Sequence, residues 1–320
     1  QYALTGTFGN AYYVSAEVQL DKLKELVAKV EPQFLAKLAR YARQKGFMKD
    51  MPAALLAILT AQRSDYLGLA FGDVVDSSRV LRTYVQMVRS GTFGRKSFGS
   101  YPRRLIRQWL QNKTPSELFY ASIGEKPSLV DVIKMVHPAL SAGQSNVVRY
   151  LMGKEYDREA LPDIIADFEA YKAQPNDVPP KVPFEMLTGM PLTDGAWATV
   201  ARNATWGQTW RNLNTFQRHN VFNNPEMVYQ LAQRLLDPGQ VRRSKVMPYQ
   251  LFTAWLATRG TIPSALSVAL ESATATALEN IPTFSSQVLV ALDTSGSMSA
   301  APVTGGRGSA TSSTHCIQVA

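Results

Sequence analysis

Hydrophobic positions along this 320-residue chain recur mostly every three to four residues, the period of an amphipathic helix. Behind Ser15, a helix-capping residue type, Val18, Leu23, Leu26, Val27 and Val30 fall at helical spacing. Pro32 then opens a helix at its first turn, with Phe34, Leu35, Leu38 and Tyr41 expected on one face before the stop at Gly46. The stretch 52–62 is apolar nearly all round and predicts an interior helix. The same grammar predicts helices over 79–90, 101–113, 128–137, 158–173, 194–205, 210–220, 225–236, 247–258 and 264–279, with short polar, Gly or Pro connections. Each amphipathic pair must bury its stripe on a neighbour, so the expected fold is mainly α, a HEAT-like helical-repeat α-solenoid. No strict repeat is present, which favours the irregular kind.

Three stretches break the pattern. Residues 2–14 carry Gly6, Gly9 and Asn10 among aromatic and β-branched residues, which suggests a small hairpin or an ordered arm. Residues 174–183, with four prolines, read as a stiff connector. After residue 280 the character changes. Residues 287–292 form a short Val- and Leu-rich run, the pattern of a strand buried on both faces, followed by a Gly/Ser/Thr-rich stretch. From 315 a helix could begin. The expected division is therefore a helical module over 1–280 and, over 281–320, the opening piece of an α/β domain, its first strand and the loop after it.

Composition narrows the classes. With 45% hydrophobic and 18% charged residues the chain can bury sizeable cores and is not a disordered protein. No apolar run approaches the roughly 18 residues of a membrane-spanning helix, so no membrane role is expected. A single cysteine, Cys316, excludes an internal disulfide framework and fits a reducing, cytoplasmic location. Three scattered histidines do not make a zinc site.

Charge is what turns a fold into a function here. The formal net charge is +9, and residues 79–113 alone hold nine basic side chains and no acidic one. A second basic region, 205–260, has seven basic against two acidic residues, whereas 114–204 leans acidic. In the first block Arg103, Arg104 and Arg107 lie at helical spacing and are expected on one face. The glycine-rich loop 91–99 carries Arg95 and Lys96, and Tyr84, Phe93, Phe98, Tyr101 and Trp109 are interleaved. Guanidinium groups pair with phosphates in bidentate fashion, and aromatics stack on unpaired bases, so the block fits a nucleic-acid surface. The bland alternative is a solvated helix face, which nine uncompensated charges disfavour by mutual repulsion. Gly91 to Ser97 has the wrong spacing for a nucleotide P-loop.

Two further motifs stand out. Asp293-x-Ser295-x-Ser297 directly after the predicted strand offers one carboxylate and two hydroxyls, the hard oxygens that Mg²⁺ prefers; the plain reading is a Ser-rich turn. In Asp131-x-x-Lys134-x-x-His137-Pro138, His137 ends a helix, where a cap is the ordinary role. No Ser/His/Asp, Cys/His or paired-carboxylate arrangement emerges, so no enzymatic activity is expected.

The order of these segments carries a resemblance. Asp131 to Pro138, then Arg211-Asn212-Leu213-Asn214, then Lys245-Val246-Met247-Pro248-Tyr249, then Asp293-x-Ser295-x-Ser297-Met298 resembles the Ro autoantigen family and its bacterial relatives. The opening Gly6-x-x-Gly9-x-x-Tyr12-Tyr13 is similar as well. The resemblance implies a TROVE module, a ring of HEAT-like repeats, followed by a von Willebrand A domain with a metal-ion-dependent adhesion site at Asp293, Ser295 and Ser297. It implies a ribonucleoprotein scaffold that binds Y-like noncoding RNA and the single-stranded 3′ ends of misfolded RNAs. RNA quality control or degradation, with an exoribonuclease partner and a monomeric ring, goes with it. By that resemblance Lys134 and His137 are RNA contacts and the Arg103, Arg104 and Arg107 helix is part of the basic face; Arg95 and Lys96 of the basic block and Arg211 are expected to bind RNA with them. An alternative from another class is a helical protein-interaction scaffold that recruits an acidic protein partner through Mg²⁺.

Overall fold

A computed structural model describes residues 2–5, 15–281, 287, 289, 291–300, 302–304 and 314–319. It forms two compact units, Gln1–Glu169 and Ala170–Ala320. The change of character expected near 281 falls inside the second. Both units are helical, and the one sheet among the described residues is a two-stranded antiparallel pair, Pro302–Thr304 with Thr314–His315.

In the first unit helices stack on their sequence neighbours, as the solenoid pattern requires. Pro32–Gln44 packs on Asp50–Ala61, which packs in turn on Leu67–Val74 and Ser78–Ser90. The predicted interior helix is the centre of this stack, with Met51 to Thr60 all buried. Each buried Leu of that helix contributes about 1.5–3 kcal/mol relative to an exposed one. Tyr84 joins its neighbours through an edge contact to Phe71, centroids 5.5 Å apart, and a hydroxyl bond to Thr60 at 2.7 Å. Burial pushes the Tyr84 phenol well above the ordinary tyrosine value.

The face expected for Pro32–Gln44 is corrected. Leu35, Ala36, Ala39 and Ala42 are buried, whereas Phe34 and Tyr41 are exposed. Alanines let this helix lie close to two others, and aromatic rings would hold it off. Several boundaries move too. The expected helix 210–220 is two short ones, Trp206–Arg211 and Leu213–Arg218, that break at Asn212. The expected 158–173 helix starts only at Asp163, after Pro162. Helices Leu67–Val74, Pro115–Ala121, Ala142–Leu151, Phe184–Thr188 and Pro238–Ser244 were not expected. Residues 174–183 carry no regular element, as predicted.

At the start of the chain, Tyr2–Thr5 is one helical turn rather than part of a hairpin, and Leu4 rests against Gly46. Residues 6–14, the rest of the expected arm, lie outside the described residues. The buried strand expected at 287–292 is not present among the residues described there: Leu289 and Leu292 are 93% and 64% exposed. A strand needs a neighbour to satisfy its backbone, and the described sheet offers none to this stretch. The expected final helix forms over Cys316–Val319. No helix among the described residues is long and apolar enough to cross a membrane.

Candidate nucleic-acid interface

In the basic block, helix ends bring the arginines together. Ser78–Ser90 is capped by the Ser77 side chain and stopped by Gly91 at φ 74°, a left-handed turn that glycine takes without strain. The loop then returns through Gly94 and Gly99, also at positive φ, into Ser100–Gln111. Arg95 is folded across Gly99, where a Cβ would meet its guanidinium at 2.4 Å. Its Nη1 donates to Thr60 O at 3.4 Å, on the same turn whose hydroxyl holds Tyr84.

The result is an open cleft of about 990 Å³. Its walls carry Arg63, Arg95, Arg104 and Arg107, one carboxylate, Asp65, and the hydroxyl groups of Thr60, Ser64, Ser100 and Tyr101. Leu59, Leu67 and Phe98 form an apolar floor. None of the four guanidinium groups has an ion-pair partner among the described residues. This is a contrast with Arg40 and Arg43 nearby, which pair with Asp73 at 2.5 Å and Asp76 at 2.7 Å. Arg104 lies over the Tyr101 ring, 5.0 Å from its centroid, so that ring face is taken and the guanidinium plane is the outer layer. Arg107 Nε donates to Val136 O at 2.5 Å. That bond ties the cleft to the end of Leu129–Val136, where His137 is the cap, at φ 48°, and is exposed.

The predicted residues sort as follows. Arg95, Arg104 and Arg107 are brought together in the cleft. Arg103 is exposed but does not line it, so the expectation that all three helix arginines share one face is corrected: residues 100, 101, 104 and 107 make the cleft face. Lys96 is exposed, its stem over Gly91. Lys134 is exposed in the last turn of Leu129–Val136, one turn from His137. At the other end of that helix Asp131 completes a capping box with Ser128, whose hydrogen bonds hold its carboxyl below the usual range. Arg63 was missed. It stands after the interior helix, sixteen residues before the block, and its one sequence signal is a charged residue at the end of an apolar helix.

Arg211 belongs to the second unit, exposed beside Trp210. Other cations of the basic 205–260 region are engaged within the protein. Arg234 donates to Ala201 O, Thr209 Oγ1 and Arg202 O, and Arg242 pairs with Glu279 at 2.6 Å.

Asp293, Ser295 and Ser297 share one turn at the start of Gly296–Ala300. Asp293 Oδ1 accepts from Ser295 N–H at 2.8 Å, which lowers its pKa, and the two serine hydroxyls bond each other at 2.8 Å. No cluster of three or more His, Cys, Asp or Glu side chains suited to a metal occurs among the described residues. One carboxylate and two hydroxyls are half of the six oxygens Mg²⁺ takes, and they are bonded to each other and to backbone.

Comparison with known proteins agrees with the resemblance read from the sequence. No family model matches the chain. It is 25% identical over 345 aligned positions to the RNA-binding protein RO60 of Deinococcus radiodurans, covering 95% of this chain and 64% of that protein. Its fold matches the crystal structure of the Deinococcus radiodurans Ro (RSR) protein with a TM-score of 0.63 at 17% identity, over 86% of this chain and 60% of the other. The chain thus spans less than two thirds of the length of either.

Proposed function

We propose that this chain, a relative of the bacterial Ro proteins, is an RNA-binding scaffold that grips RNA through phosphates in the arginine cleft of its first unit. The observation that carries the reading is the set of four arginines, without ion-pair partners among the described residues, that line an open cleft with one carboxylate. Such a set attracts a polyanion and holds phosphate oxygens in bidentate fashion. The relative's printed description as RNA-binding supports it.

The finer expectations go with this reading. The ligand is a Y-like noncoding RNA or the single-stranded 3′ end of a misfolded RNA. The setting is cytoplasmic RNA quality control, with an exoribonuclease as a further partner and a closed monomeric ring as the form. Lys134 and His137, joined to the cleft through Arg107, extend the RNA surface. Asp293, Ser295 and Ser297 would supply part of a Mg²⁺ shell that other oxygens complete. The protein acts by binding and presenting RNA rather than by catalysis. The protein-scaffold alternative leans on that turn alone and has less support.

The test is a gel shift with structured RNA bearing a single-stranded 3′ tail. Arg63→Glu with Arg104→Glu is expected to weaken binding by about tenfold or more, uniformly across sequences, because phosphate contacts carry no base information. Arg103→Glu, a single reversal outside the cleft, is expected to cost less than the single reversal Arg104→Glu inside it. Equal affinities for the double variant and the unaltered protein would sink the reading.

A further inference from the structure

The second unit has a pocket of its own, about 180 Å³, that the arginine cleft does not account for. It forms where Trp206–Arg211 breaks into Leu213–Arg218, opposite Pro248–Thr258. Trp210, Arg211, Asn214 and Gln250 are its chemically distinctive lining, over an apolar floor that includes Leu213 and Ala254.

Both amides are fixed by backbone bonds, which settles which end is which. Asn214 Nδ2 donates to Ala257 O at 3.3 Å, and Gln250 Oε1 accepts from Met247 N–H at 3.0 Å. Asn214 Oδ1, an acceptor, and Gln250 Nε2, a donor, are left without a partner among the described residues. Arg211 is held as well: its Nε donates to Gly207 O at 2.7 Å and its guanidinium lies 5.5 Å from the Trp210 ring centroid. No carboxylate lines the pocket.

A small apolar slot with an indole, one acceptor, one donor and one anchored cation matches an unpaired nucleobase and its phosphate. With one indole face covered by Arg211, the base fills the slot against the other, its edge meets the amides, and the phosphate meets Arg211. We propose that this pocket is a nucleobase site, distinct from the cleft, for one unpaired base of an RNA strand or of a free nucleotide; the proposal rests on the RNA-binding reading above.

Binding of a labelled single-stranded oligoribonucleotide is compared with that of the same strand carrying abasic positions, using the full chain, Gln250→Glu and Trp210→Leu. Gln250→Glu keeps the acceptor for Met247 N–H, so the helix start is preserved while the donor is lost. The unaltered protein is expected to prefer the base-bearing strand by about tenfold, the scale of one stacked base. Either variant is expected to bring that ratio close to one. Arg63→Glu with Arg104→Glu should lower binding of both strands together and leave the ratio intact. A ratio unchanged by both pocket variants overturns the pocket as an RNA site while the cleft reading stands, and absence of RNA binding by the unaltered chain overturns the cleft reading and the pocket as an RNA site together. Photocrosslinking of 4-thiouridine to the 206–214 peptide separates the sources: a crosslink from the strand alone identifies RNA, and one from the monophosphate identifies a free nucleotide. A crosslink from neither overturns the proposal.

Discussion

Two half-buried arginines of the helical stacks have opposite surroundings. Arg234 places three donors on Ala201 O, Arg202 O and Thr209 Oγ1. Arg82 has Nε and Nη1 buried with no hydrogen-bond partner among the described residues, and its guanidinium lies against Gly124, where a Cβ would meet it at 2.0 Å. Burial lowers the pKa of both, and the Arg79 charge adds to the effect at Arg82. Losing a satisfied charged donor strands its acceptors, whereas losing an unsatisfied one removes a desolvation cost. Arg234→Met is therefore expected to lower stability by about 2–3 kcal/mol in urea denaturation. Arg82→Met, which keeps the apolar stem, is expected to leave it unchanged or raise it. A loss at Arg82 equal to that at Arg234 would contradict this account. Sequence alone cannot separate the two residues, since both are arginines on amphipathic helices and the acceptors that satisfy Arg234 lie 25 to 33 residues away along the chain.

At the scale of elements, long periodic stripes were legible and short helices were not. Residues 52–62 announced a buried helix because only Thr60 and Gln62 interrupt an otherwise apolar run. Pro115–Ala121 and Pro238–Ser244, seven residues each, are too short for a period to show, and Ala142–Leu151 has only Val147, Val148 and Leu151 as large aliphatic residues, yet each begins with a side-chain cap, at Thr114, Ser141 and Asp237, that could have marked it. One of these overlooked starts organises the site. Gln144 closes the capping box with Ser141, and its Nε2 donates to Gln111 O at 3.0 Å and Lys113 O at 2.6 Å. It thereby holds the C-terminal end of the helix that carries Arg104 and Arg107. Gln144→Glu retains the cap acceptor but sets a carboxylate against those carbonyls. It is expected to cost about 2 kcal/mol or more, and to weaken RNA binding although it lies outside the cleft. Denaturation and gel shift on the same preparation test this, and an unaffected midpoint would rule the linkage out.

At the scale of the whole molecule, the +9 charge was legible in sequence but its arrangement was not. Nine cations in residues 79–113 look equivalent on paper. In the structure three of them share a cleft with Arg63, Arg82 is turned inward, and Lys113 pairs with Glu117 at 3.6 Å and lies over Trp109. Only cations that meet phosphates release counterions, so the salt response of RNA binding counts them. For single-stranded RNA the plot of log affinity against log salt should fall by about 0.7 per phosphate contacted. If each arginine of the cleft meets one phosphate, the cleft contributes about −3 to the slope. Arg63→Gln with Arg104→Gln should then make it shallower by about 1.4, and Lys113→Gln should leave it alone. Anisotropy titrations at several KCl concentrations measure the slope directly. Equal effects from Lys113 and from the arginine pair would mean that the block acts as a diffuse field, and the cleft would lose its special place.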